Sequence, residues 1–244
     1  MKAILSILAS LFFFLSGIAQ EKVSFYSADS LKISADLYLK DYRLPFILLF
    51  HQGGSSRGEF NEIAVRLMKL DYNCLSVDLR SGNKINYVTN ETAKRAENGN
   101  YPNAFIDAKQ DIEAAIQYTK KYNSKPLILF GSSYSASLCL IIANNNDDVK
   151  AVIAFSPGEY FRPKLIVKDK ITGMQKPLFV SSSAMEYDYV EKMLSGVEKN
   201  YITFYKPAKG EKGVHGAKAL WKENESSDSC WLELLMFFKK IRYS

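Results

Sequence analysis

The sequence is poor in cysteine and histidine, with three Cys and two His among its 244 residues. Cys74, Cys139 and Cys230 are too few for a disulfide scaffold and allow one bridge at most. Cys74 and Cys139 stand in apolar patterns, which favours buried thiols. No cluster of His, Cys and Asp has the spacing of metal ligands, so the sequence gives no reason to expect a metal.

Long apolar runs are also scarce, and the only one lies at the N-terminus, where Lys2 is followed by AILSILASLFFFLSGIA. One positive charge, an apolar stretch and the small residues Gly17 and Ala19 are typical of a secretory signal peptide. We therefore expect residues 1–19 to be cleaved and the protein to be exported, to the periplasm or outside the cell. An uncleaved anchor is the alternative, because residues 3–19 are 17 uncharged positions, at the lower limit for spanning a bilayer. Cleavage would leave no segment for stable membrane insertion.

The chain has no basic stripe of the kind that binds nucleic acid. Its net charge is +6, and loss of the leader would leave 31 basic against 26 acidic residues, with lysines scattered along the sequence. A nucleic-acid groove needs clustered basic residues, so nucleic acid is not an expected partner. Contents of 47% apolar and 24% charged residues are ordinary for a folded soluble protein. Residues 20–244 are enough for a single α/β domain.

Short apolar runs alternate with helical patterns along the chain. LKISADLYL has the period-two alternation of a half-exposed strand, and VSFYS precedes it as a hairpin partner. Runs that are apolar on both faces, typical of a covered parallel sheet, follow at PFILLFH, NCLSVDL, PLILFG, VKAVIAFS, PLFVSSS and YITFYKP. Helical patterns separate them, and one more ends the chain. The alternation predicts a doubly wound, mostly parallel β-sheet with helices on both faces. Residues 80–103 and 157–176 are expected to be long loops.

The segment PLILFGSSYSASLCLI places Ser133 between an apolar strand and a helix. The string GSSYS is a nucleophile elbow, G-x-S-x-G, with Ser135 in place of the last Gly. Small residues flank the nucleophile because the turn is so sharp that strand and helix crowd together there. Ser133 is therefore the candidate nucleophile, although a helix N-cap would also explain Ser132 or Ser133.

A serine hydroxyl needs a base to accept its proton, and two histidines are available. His215 lies in a Gly-flanked loop after the last strand, in KGVHGAKALW. His51 follows an earlier strand in HQGGSS, where the Gly pair would let backbone N–H groups approach an oxyanion. The chain order of nucleophile, acid and base favours His215.

The acid is expected after the strand PLFVSSS, where Glu186 and Asp188 are the two carboxylates. Either one could hold the imidazole tautomer and stabilise its protonated form. In an extended loop they would point to opposite sides. Asp188 is also explained by the dipole of the following helix, so we prefer Glu186 and keep Asp188 as the alternative.

These motifs resemble those of the α/β-hydrolases, most closely the lidless dienelactone-hydrolase-like and esterase-like branch. The resemblance runs from the strand before HQGG, through GSSYS and the acid turn, to VHG. It implies an α/β-hydrolase fold without a large cap domain, with Ser133 as nucleophile, His215 as base and Glu186 as acid. It also implies an oxyanion hole made by the backbone N–H groups of Gly53 and Tyr134.

Two positions depart from the family pattern: Ser135 in place of Gly, and Gln52 where many relatives have Gly. Neither change removes a chemical group, but both narrow the space near the reacting atom. The string VDLRSGN is similar to the D-x-R-x-G turn of these enzymes, in which Asp78 and Arg80 are more often structural than catalytic.

We therefore expect an exported serine hydrolase that cleaves a small-molecule carboxylester through an acyl-enzyme on Ser133 and needs no cofactor. A serine peptidase of the same fold is one alternative, although such enzymes generally add a gating domain or a pocket for the peptide amine. A noncatalytic binding protein on a hydrolase scaffold is the other. A noncatalytic binding protein would have no reason to keep a serine, an acid and a histidine in the chain order of a hydrolase.

Overall fold

The computed structural model describes residues 20–208 and 210–242. The predicted leader, residues 1–19, lies outside this part of the chain. The described chain begins with an antiparallel hairpin of β1 (Gln20–Tyr26) and β2 (Lys32–Tyr38), in which Val23 lies opposite Ala35. The predicted hairpin is therefore confirmed. The expected half-exposure of β2 is wrong, because β2 is buried from Ile33 to Tyr38 and its polar residues contact Thr92 and Arg57.

The hairpin is one edge of an eight-stranded sheet. The other strands of the described chain are β3 (Phe46–Phe50), β4 (Asn73–Val77), β5 (Lys84–Ile85), β6 (Val88–Thr89), β7 (Leu127–Ser132), β8 (Val149–Phe155), β9 (Leu178–Ser181) and β10 (Ile202–Tyr205). The order in the sheet is β1-β2-β4-β3-β7-β8-β9-β10, and β5 and β6 pair separately. From β4 to β10 every neighbouring pair in the sheet is parallel. The predicted mostly parallel sheet is confirmed.

Helices cover both faces of this sheet. They are α1 (Asn61–Lys69), α2 (Glu91–Asn98), α3 (Lys109–Thr119), α4 (Tyr134–Asn144), α5 (Val167–Ile171), α6 (Tyr187–Met193) and α7 (Ser227–Arg242). Successive side chains of a strand point to opposite faces, so each buried strand contributes to two cores. In β3, Leu48 and Phe50 belong to the core that contains residues of α3 and α4, whereas Ile47 and Leu49 pack with residues of α1 and α7.

The two long connections are more structured than expected. Residues 80–103 contain the β5–β6 hairpin and helix α2, and residues 157–176 contain the short helix α5. The prediction of loops was wrong here because these elements are short and largely polar. Helix α2 buries only Thr92 and Ala96, so it has no apolar stripe to reveal it.

The turn after β4 is held by buried ion pairs. Arg80 is fully buried and lies 2.7 Å from a carboxylate oxygen of Asp111 and 2.7 Å from one of Asp29. Asp78 is also buried, with an oxygen 2.5 Å from the Arg57 guanidinium. Both residues of the D-x-R-x-G turn therefore form structural contacts.

Cys74, Cys139 and Cys230 are buried free thiols. Burial raises the pKa of all three, so they remain protonated at neutral pH. None of the helices in the described ranges is long and apolar enough to cross a bilayer.

Candidate active site

Ser133 stands alone between β7 and α4 in a strained backbone conformation. The strand ends at Ser132, the helix begins at Tyr134, and Ser133 has φ 62° and ψ −125°. Positive φ is uncommon for residues other than Gly and persists only where the surrounding structure imposes it. Here the Ser133 N–H donates to the carbonyl of Phe155 on the neighbouring strand at 2.7 Å. The nucleophile elbow expected from the sequence therefore has the backbone geometry of such a turn.

The residues on either side of Ser133 show why they must be small. A Cβ atom at Gly131 would lie 2.4 Å from backbone atoms of Ala136, so only glycine fits. Ser135, which replaces the usual second Gly, is fully buried. Its hydroxyl accepts the Ser132 N–H at 2.9 Å and donates to the Phe50 carbonyl at 2.7 Å. Ser135, in place of the family's Gly, therefore adds hydrogen bonds that join β3 to the elbow.

Glu186 and His215 form a direct pair. Oε1 of Glu186 lies 2.5 Å from Nδ1 of His215, and its Oε2 accepts hydrogen bonds from Ser156 Oγ at 2.9 Å and Ser183 Oγ at 2.8 Å. Burial raises the pKa of Glu186, but the hydrogen bonds from His215, Ser183 and Ser156 outweigh it and lower the pKa from 4.5 to about 2. Glu186 is thus a carboxylate at any pH near neutrality.

Asp188 occupies a different environment. Helix α6 begins immediately after Glu186, which puts Asp188 in its first turn, where a negative charge favours the helix dipole. Its side chain is exposed, and no hydrogen bond or ion pair joins it to His215 within the described residues. The two carboxylates are separated because the helix starts between them.

The loop that carries His215 is bound to the elbow. Next to the histidine, the Gly216 N–H donates to Ser156 Oγ at 3.0 Å and the Ala217 N–H donates to Ser132 Oγ at 2.8 Å. Gly216 has φ +75°, and a Cβ there would lie 2.4 Å from Gln52 Oε1. In the described chain no hydrogen bond joins the side chains of Ser133 and His215 directly.

His51 is fully buried and held on both ring nitrogens. Its Nδ1 lies 2.8 Å from the Gln52 carbonyl, and its Nε2 is 3.0 Å from the Leu79 N–H and 3.1 Å from the Asn90 amide. Burial lowers the pKa of His51, so the ring is neutral. It supports the HQGG loop and has no free nitrogen to act as a base.

The N–H groups of Gly53 and Tyr134 remain available to a ligand, because neither donates to an acceptor in the described residues. The ring of Phe105 stacks on Tyr134 at 4.2 Å between centroids, and a Cβ at Gly53 would lie 2.9 Å from the same ring. Phe105 therefore packs between the Gly53 backbone and the Tyr134 ring. Beside it opens a cavity of about 410 Å³ whose lining includes Gly54 and Asn103.

Several residues of this region were not identified from the sequence. Ser156 has φ +50°, and its hydroxyl joins Glu186 to the loop that carries His215. Its carbonyl accepts the hydroxyl of Tyr160 at 3.0 Å, and this hydroxyl also contacts Ser133. No motif marks such a serine, because its role depends on contacts between distant segments. Separately, no group of three or more His, Cys, Asp or Glu in residues 20–208 and 210–242 has the arrangement of a metal site.

The fold is that of the α/β-hydrolases. An esterase of Pyrococcus furiosus is 16% identical with a TM-score of 0.64, over 91% of each chain. A dienelactone hydrolase of Anabaena variabilis is 15% identical with a TM-score of 0.63, over 90% of this chain and 95% of that one. An esterase of the archaeon Pyrobaculum calidifontis is 14% identical with a TM-score of 0.63, over 91% and 84%. No protein-family model and no curated protein matches the sequence.

Replacement of Gly131 tests the elbow. In Gly131→Ala the new Cβ meets backbone atoms of Ala136, which cannot move aside as a flexible side chain would. We expect urea unfolding to show a loss of about 3 kcal/mol or more in the free energy of unfolding. The control is Gly173→Ala, where φ is +78° and no atom lies within 4 Å, and there positive φ alone costs about 1 kcal/mol. Equal losses in the two variants would contradict the steric argument.

Proposed function

We propose that this protein is a serine hydrolase that cleaves a small-molecule carboxylester through an acyl-enzyme on Ser133. The observation that carries the proposal is the contact between Glu186 Oε1 and His215 Nδ1, at 2.5 Å. His215 lies in a loop that is hydrogen-bonded to Ser132, next to Ser133. The fold supports it, since similar structures include esterases and a dienelactone hydrolase. Residues 20–244 would act as one exported domain after loss of the leader at residues 1–19.

In the proposed reaction, Ser133 Oγ attacks the ester carbonyl carbon while its proton passes to Nε2 of His215. Glu186 holds the proton on Nδ1 and stabilises the imidazolium. The negative carbonyl oxygen of the tetrahedral intermediate is bound by the N–H groups of Gly53 and Tyr134. Collapse expels the alcohol, which takes the proton from His215 and leaves the acyl group on Ser133. A water that gives one proton to His215 then attacks the acyl carbon, and His215 returns this proton to Ser133 Oγ as the carboxylic acid is released.

Labelling with a fluorophosphonate tests the nucleophile. We expect the probe to modify Ser133 in the full chain and to leave Ser133→Ala unlabelled. Ser137→Ala is a matched control one turn further along α4, because that hydroxyl is bound to the Gly158 carbonyl at 2.7 Å and should not be needed for labelling. Folded protein that takes no label, with no turnover of nitrophenyl esters, would favour the noncatalytic binding protein.

The acid is tested by two single substitutions. Glu186→Gln keeps the size of the side chain but loses control of the His215 tautomer, so kcat for a nitrophenyl ester should fall by about 10⁴-fold. Asp188→Asn removes only a charge at a helix terminus and should stay within about tenfold of the parent. If Asp188→Asn is inactive and Glu186→Gln is active, Asp188 is the acid. If both keep the parental rate, no acid follows β9.

The lowered pKa of Glu186 also predicts a pH-dependent stability. A carboxylate whose pKa is lower in the folded state stabilises that state above its ordinary pKa of 4.5, and the stabilisation is lost as the pH falls to about 2. We therefore expect the difference in unfolding free energy between the parent and Glu186→Gln, from urea titrations, to shrink between pH 4.5 and 2. A difference that is constant over this range would show that the hydrogen bonds to Glu186 do not favour its ionised form.

A further inference from the structure

A second carboxylate, that of Glu59, contacts Gln52 and Ser132, next to the candidate site. It takes no part in the proposed reaction. Glu59 belongs to a 3₁₀ turn, Arg57–Phe60, just before α1, and it is fully buried. Each of its carboxylate oxygens accepts one hydrogen bond. Oε1 accepts from Ser132 Oγ at 2.7 Å, and Oε2 accepts from the backbone N–H of Gln52 at 3.0 Å.

The two donors belong to the two segments that must be aligned for catalysis. Gln52 immediately precedes Gly53, and Ser132 immediately precedes Ser133. The base loop is attached to the same carboxylate, because Ser132 Oγ also accepts the Ala217 N–H at 2.8 Å. The backbone carbonyl of Glu59 accepts the indole N–H of Trp221 at 3.0 Å, which adds a second link to that loop.

Burial of this carboxylate is costly, because no Lys or Arg in the described part of the chain forms an ion pair with it. An unpaired buried ion is strongly unfavourable unless hydrogen bonds compensate for its lost hydration. A carboxylate is nevertheless the group that fits, because both of its oxygens are acceptors. A glutamine could accept from one of the two donors but would present its own N–H groups to the other.

We propose that Glu59 is a positioning residue that aligns the oxyanion loop with the nucleophile elbow, and this inference rests on the proposed function. Its hydrogen bond from the Gln52 N–H holds the peptide group that precedes Gly53. Its hydrogen bond from Ser132 Oγ holds the residue that precedes Ser133. An oxyanion donor is effective only within about 2.7–3.1 Å of the developing charge, and a displacement of about 1 Å can cost 10²-fold in rate.

The main test is Glu59→Gln, measured with nitrophenyl acetate and with a phenylboronic acid. A boronic acid adds to the serine hydroxyl and forms a tetrahedral adduct with an oxygen at the oxyanion position, so its affinity reports this alignment. We expect kcat to fall by about 10²–10³-fold, as for loss of one oxyanion donor, with KM within about threefold. The boronate inhibition constant should rise in parallel with the loss of kcat. Ser132→Ala breaks one of the two links and should show the same pattern with a smaller loss.

Glu159→Gln is the matched control. The Glu159 side chain is only 9% exposed, and its oxygens accept the N–H groups of Val167 and Lys168 at 2.7 and 2.9 Å, so it too is a largely buried carboxylate that holds two backbone donors. It differs from Glu59 in lying 3.8 Å from the exposed Arg162 guanidinium. We expect this variant to lose stability in a thermal melt while folded protein keeps its kcat and boronate affinity within about twofold.

The outcomes separate this inference from the proposed function. An active parent with unchanged kcat and boronate affinity in Glu59→Gln would overturn the role of Glu59 and leave the hydrolase intact. A loss of kcat in Glu59→Gln without weaker boronate binding would also overturn it. If Glu59→Gln does not fold, Ser132→Ala decides, and parental kinetics there would reject the inference. A parent that neither hydrolyses esters nor takes a fluorophosphonate would reject both.

Discussion

The candidate site depends on parallel strand pairing, because it brings the carboxyl ends of β3, β7, β8 and β9 to one edge of the sheet. The HQGG loop, Ser133, Ser156 and the acid turn follow these four ends in that order. Segments as distant in sequence as Phe50 and Gly131, 81 residues apart, are thus paired before any side chain contributes. The register of the strands sets which residue ends each strand, so a slip of one residue would turn these side chains to the wrong face.

Buried serine hydroxyls join the loops that follow the strands. A serine hydroxyl both donates and accepts, so one buried serine can join two backbone segments that share no strand pairing. Ser156 donates to Glu186 and accepts from Gly216, and Ser132 donates to Glu59 and accepts from Ala217. The loop that carries His215 is therefore attached at two consecutive peptide groups. Such a network fixes geometry only when every member is satisfied, because an unsatisfied buried group is costly.

The parts of the structure that could be predicted are those determined by local pattern. Apolar runs predicted β3, β4, β7, β8 and β9 because nearly all of their residues are buried. The alternation of strands and helices predicted the fold class. Polar α2 and the two-residue strands were missed because tertiary contacts hold them rather than an apolar stripe. The choice of Glu186 over Asp188 depended on where α6 begins, and in the structure only Glu186 contacts His215. Ser156 and Glu59 could not be found, since their partners are distant in sequence.

The two histidines show how environment divides the roles of one residue type. A base must gain and lose a proton during each turnover, so it needs a free nitrogen and a charge that stabilises its protonated form. His51 has no free nitrogen, because backbone and amide groups contact both, and burial lowers its pKa despite the nearby charge of Glu59. His215 has a carboxylate on Nδ1 and a side chain that is 43% exposed. The same sheet edge therefore holds one imidazole enclosed by backbone and amide groups and places the other beside a carboxylate, partly exposed to solvent.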